Sequence, residues 1–145
     1  MQGSEIFLPF FGMFLLTFAV WVLMYVRRLA FIARNKIDTQ KLRTPEMGAA
    51  LVPEAVSYPS YNFKNLFELP VIFYALCLYL YVIGSVDHTY VISAWIFFTF
   101  RALHSAIHCT VNIVKLRFLS YLIAALALWS MLFRAVLDLL PSVSA

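Results

Sequence analysis

An all-α, integral membrane four-helix bundle with its N- and C-termini outside is the fold this sequence predicts. Three observations predict it: the composition, four long apolar runs, and a one-sided distribution of basic residues. Of 145 residues, 63% are apolar and 12% charged, and the mean hydropathy is +0.86. A soluble domain carries about 45–50% apolar and about 25% charged residues, so too few charges remain here to cover a water-facing surface. The surplus must face lipid, which a helix of about 20 mostly apolar residues can cross. These proportions exclude a disordered chain, a secreted disulfide scaffold and a nucleic-acid-binding domain. Cys77 and Cys109 both fall inside apolar runs and outside any CxxC or Cys/His spacing, so they read as small packing residues. Residues 1–145 form a single membrane domain in this reading.

The first span covers residues 6–26 without a charge and stops at Arg27-Arg28. It is too long for a signal-peptide core and no basic residue precedes it, so it reads as an uncleaved span. The second covers about 66–86, broken only by Glu68 and Pro70. The third, about 90–114, carries Arg101, His104 and His108. The fourth, about 118–140, is interrupted by Arg134, with Asp138 one turn later, a pair placed to neutralise itself at the interface.

The intervening segments orient the bundle. Seven basic residues, from Arg27 to Lys64, lie in the first loop (about 27–65), and Lys115 and Arg117 lie in the third. The second loop offers only Asp87 and His88, and both termini lack Lys and Arg. Basic loops stay in the cytoplasm, which leaves both termini on the far side. Attraction to anionic headgroups, about 1 kcal/mol per basic residue near the surface, accounts for much of the Arg27–Arg43 cluster.

Within the third span, Arg101, His104, Ser105, His108 and Asn112 are spaced to share one stripe of a helix. A charge at membrane depth must face a bundle interior or a wet cavity, and Glu68 is the carboxylate expected to pair with Arg101. Structural bridging between helices is the plain alternative, although five polar residues exceed what bridging needs. His104 and His108 form an i, i+4 pair, but one HxxxH is too little to assign a metal. The outer half of the span has only Ser93 and Thr99 as hydroxyl residues besides Tyr90, which argues against a transporter or channel subunit.

The run Asn65-Leu-Phe-Glu68-Leu-Pro70, with Arg101-Ala-Leu-His104 and then His108, resembles the MAPEG superfamily of membrane-associated proteins in eicosanoid and glutathione metabolism. The resemblance covers length, spans, orientation and the motifs of spans two and three. It implies a homotrimer that binds glutathione as thiol co-substrate between subunits and takes a lipophilic small-molecule substrate from the bilayer. Carried over position by position, Asn65, Glu68, Arg101, His104 and Tyr121 would contact glutathione, His108 would stand one turn after His104, and Arg27 or Arg28 would be the basic residue ending helix one. Arg117 would be catalytic, stabilising the thiolate. Two positions depart from the pattern: Tyr61 stands where the transferases carry arginine, and His108 where tyrosine is usual. The implied function is a glutathione-dependent transferase or peroxidase acting on lipophilic electrophiles, resembling the microsomal glutathione transferase and prostaglandin E synthase branches. The alternative is a non-catalytic lipid-binding or scaffold protein of the same fold. Either a bacterial inner membrane or a eukaryotic endomembrane would suit this multi-pass protein.

Overall fold

The computed structural model describes residues 3–143. A 3-10 turn at Ser4–Ile6 runs into α1 (Phe7–Arg34), and a second, Thr39–Leu42, precedes α2 (Pro45–Leu51) and α3 (Glu54–Asn65). Helices α4 (Leu69–Val82), α5 (His88–Cys109) and α6 (Val114–Val143) follow, with no strand among the described residues. Among the described residues, four segments are long and apolar enough to cross a membrane: Ser4–Arg34, Glu54–Val82, His88–Cys109 and Val114–Leu140. The four-helix membrane bundle expected from composition is the fold.

The helix limits differ from the apolar runs, for identifiable reasons. Arg27-Arg28 ends the apolar stretch but contains nothing that stops a helix, so α1 continues to Arg34. It ends where Lys36 adopts a positive φ of 50°, with Ile37 N–H bonded to the Ile32 carbonyl at 3.1 Å and Lys36 N–H to that of Ala33 at 3.3 Å, a Schellman closure. The second span starts inside the expected loop, at Glu54, and is broken over residues 66–68. Pro70 has no N–H for the Leu66 carbonyl, and its ring clashes with that carbonyl in a continuous helix. Helix α5 stops at Cys109 rather than near residue 114. Asn112, at φ 49°, turns the chain into α6, a left-handed conformation that Asn tolerates better than most residues.

Helix α5 is the hub, packed on α6, α1 and α3. Phe73 of α4 stacks on Phe97 of α5 with ring centroids 4.4 Å apart, among buried Met13, Ala94, Leu128 and Met131. A Cβ added at Gly12 would lie 2.9 Å from the Phe98 ring, so glycine there lets α1 approach α5. Leu15, Phe18, Leu126 and Phe133 remain more than 60% exposed, an arrangement suited to lipid rather than water.

At the end where α4 turns into α5, Asp87 caps α5 by accepting from Tyr90 N–H at 3.0 Å. The Arg134 guanidinium bonds both carboxylate oxygens of Asp87 and lies 4.4 Å over the Tyr90 ring, whose hydroxyl donates to Asp138 at 3.2 Å. The Arg134–Asp138 pair read from sequence is thus secondary, at 3.9 Å. A guanidinium fork matches two oxygens of one carboxylate side by side, and Asp87 presents them from the loop. Gly3 lies against Val86, so both ends of the described chain sit at this end of the bundle. Residues 1–2 and 144–145, on which the expectation for the termini falls, lie outside the described residues.

Candidate functional site

The opposite, basic end holds the polar side chains of the third span. Asn62, Asn65 and Glu68 recur every three residues along α3 and the break that follows it. Asn62 is fully buried: Ser105 Oγ donates to its Oδ1 at 3.3 Å, and its Nδ2 reaches Cys109 Sγ at 3.5 Å. Ser105 and Cys109 are one turn apart on α5, so one amide fastens α3 to α5. Sequence reasoning passed over Asn62, although the pattern Asn-x-x-Asn-x-x-Glu ending at Glu68 extends to it.

Arg101 is fully buried and donates through Nη2 to the backbone carbonyl of Asn65 at 3.0 Å. That carbonyl is available because of the helix break: its backbone partner is the Glu68 N–H, at a long 3.4 Å. Asn65 Nδ2 in turn donates to Glu68 Oε2 at 2.6 Å. The direct Glu68–Arg101 ion pair expected from sequence is therefore not made among the described residues; Asn65 connects the two. Glu68 sits at the break with an exposed side chain, whereas Arg101 points into the bundle.

His104 bridges α5 to α6, its Nδ1 hydrogen-bonded to the Arg117 carbonyl at 2.9 Å. A carbonyl only accepts, so Nδ1 carries the proton and a neutral ring presents a lone pair at Nε2. The histidine is thus structural glue on one nitrogen and open on the other. The His108 ring lies edge-on to it at 5.5 Å, and Tyr121 lies 5.8 Å from His104 and 5.6 Å from the Arg101 guanidinium carbon. Arg117 stands half-buried at the rim, with Nη1 donating to Asn112 Oδ1 at 2.5 Å. Asn112 therefore leaves the α5 stripe, because α5 has ended before it, and clasps Arg117 across the turn. Nearby, Arg27 Nη1 caps α5 by donating to the Cys109 carbonyl at 2.7 Å.

Of the residues singled out from sequence, Asn65, Glu68, Arg101, His104, His108 and Tyr121 come together, with Arg117 at their edge. Arg28 stands apart. It is exposed on α1 and lines a separate cleft with Arg43, Lys64 and Tyr61.

Five buried polar atoms of this cluster lack a partner among the described residues: Asn65 Oδ1, Arg101 Nε and Nη1, His104 Nε2 and His108 Nδ1. In a bilayer, buried polar groups left unpaired cost several kcal/mol each. Two guanidiniums against one carboxylate leave the cluster net positive. The set suits a ligand that is anionic and rich in hydrogen-bonding groups, such as a small acidic peptide. The family model described as MAPEG family matches residues 6–137. No curated protein and no solved structure matches the chain.

Proposed function

The chain belongs to the MAPEG family, and from that premise we propose that it is a glutathione-dependent transferase or peroxidase acting on lipophilic electrophiles. The observation that carries the reading is the set of unpartnered buried atoms on Asn65, Arg101, His104 and His108, gathered at the basic end. Arg101 and Asn65 would hold the peptide's carboxylate and backbone groups, and Tyr121 would flank it. The protein would act as a homotrimer, in which the exposed Glu68 gains a wet cleft between protomers.

The chemistry asks little of the protein. A thiol of pKa about 8.5 is mostly protonated at neutral pH, and the thiolate is the nucleophile. A guanidinium close by in a partly dry site favours the charged form, and Arg117 has that role here. The thiolate sulfur then bonds to the electrophilic carbon while the leaving group departs with the bonding pair. The electrophile enters from lipid between helices, so an apolar co-substrate fits. A second reading, a non-catalytic lipid-binding or scaffold protein, draws support from the Arg117–Asn112 bond, which spends the guanidinium on clasping a turn.

One experiment separates the two readings. Calorimetric titration of the detergent-purified protein with glutathione should show binding. Arg117→Ala should then lower turnover with a lipophilic electrophile by about tenfold or more, a loss of about 1.4 kcal/mol, while weakening glutathione binding far less. Turnover equal in wild type and Arg117→Ala removes Arg117 from the thiolate's stabilisation, and an absence of wild-type turnover, whether or not glutathione binds, removes the catalytic reading.

A further inference from the structure

Helix α3 presents two polar faces. Asn62 and Asn65 meet α5, whereas Tyr61 and Lys64, each one position earlier, are rotated by about 100° towards α1. Ser57 and Ser60 share that second stripe. Between it, α1 and the segment from Leu42 to Val52 opens a cleft of about 370 Å³, within the range of about 300–1,000 Å³ typical of small-molecule sites. Arg28, Arg43 and Lys64 line it, and no carboxylate does. Among the described residues none of these three cations has a hydrogen-bond or ion-pair partner. Thr44, Ser57, Ser60 and Tyr61 add hydroxyls, while Met24, Leu42, Val52 and Val56 form an apolar wall.

We propose that this cleft binds one phosphate group per protomer. Three cations converging from α1, the connecting segment and α3 repel one another unless an anion lies between them. A tetrahedral oxyanion offers separate oxygens to each, and two of the three are arginines, whose fork suits phosphate. Both a lipid headgroup and a soluble phosphate ester carry that group. The cleft lies at the end of the lipid-facing run of α1 and keeps an apolar wall, which places a headgroup's phosphate among the cations and the start of its acyl chains against Met24 and Val56. The site is separate from the Arg101 cluster and does not rest on glutathione chemistry.

Native mass spectrometry of the detergent-purified protein tests this, with phosphatidic acid, phosphatidylcholine and glycerol phosphate as probes. Wild type should retain one phosphatidic acid per protomer in preference to phosphatidylcholine by about tenfold or more. Arg43→Gln and Lys64→Gln should each remove most of that preference. Lys41→Gln, at an exposed lysine outside the cleft, should leave it intact. Glycerol phosphate that binds and displaces phosphatidic acid identifies a soluble ester as the source; retention of the lipid alone identifies a headgroup; both uphold the site. No preference in wild type, or an equal loss in Lys41→Gln, means diffuse attraction to the basic segment and overturns it.

Discussion

Where α4 turns into α5, Arg134, Asp87, Tyr90 and Asp138 answer one another, whereas at the basic end Arg101, His104 and His108 hold donors and acceptors that nothing answers among the described residues. The ion pair of the first group is exposed, with Arg134 and Asp87 side chains 38% and 44% accessible above the buried Tyr90 ring. Water shares the work there, so a closed network costs little and contributes little. The second group is buried among lipid-facing helices, where each unanswered atom is expensive. A fold keeps such atoms only when something else meets them, such as a ligand or a second copy of the chain. The expensive end is therefore the candidate for the proposed function.

The sharpest way to break this contrast is Arg101→Met. The buried charge has a carbonyl partner but two orphaned nitrogens, so an apolar replacement of similar length should change unfolding stability by less than about 1.5 kcal/mol. Glutathione binding should fall about thirtyfold or more, equivalent to about 2 kcal/mol. Severe unfolding with no specific loss of binding would make Arg101 a strut. Asn62→Leu should do the reverse. It strands Ser105 and the Cys109 thiol between α3 and α5, and chemical unfolding in detergent should show a loss of about 1–2 kcal/mol. An unchanged midpoint would mean that apolar packing alone holds the two helices.

At the other end, Arg134→Ala should cost less than about 1 kcal/mol, with glutathione binding untouched. A larger loss would show that this network, too, is energetically demanding. The smallest effect is a pH dependence. The Arg134 guanidinium holds the Asp87 carboxyl below the usual carboxylate range. A depressed carboxylate adds stability that is fully present above its unfolded pKa of about 3.9 and is lost as pH falls through the lower folded value. Melting temperature should therefore decline below about pH 4 in wild type, more shallowly in Asp87→Asn, and the difference should shrink in high salt.

The sequence by itself determined that this chain is a four-span helical membrane protein, because apolar length and charge deficit are sums that no packing can alter. It also determined the stripe of Arg101, His104, Ser105 and His108, because residues three and four apart share a helix face in any surroundings. The tertiary structure alone decided which partners those side chains meet. Pro70 breaks the second span and frees the Asn65 carbonyl, which inserts an amide between Glu68 and Arg101 where sequence spacing suggested direct contact. The Asn112 turn removes that residue from the stripe and gives it to Arg117. Asp87 reaches Arg134 across 47 positions of chain, outcompeting the local Asp138 through fork geometry. Periodicity describes one helix at a time, whereas hydrogen-bond partners and ion pairs depend on distances between helices, and those are set only when helix ends, breaks and close approaches such as Gly12 against Phe98 are in place.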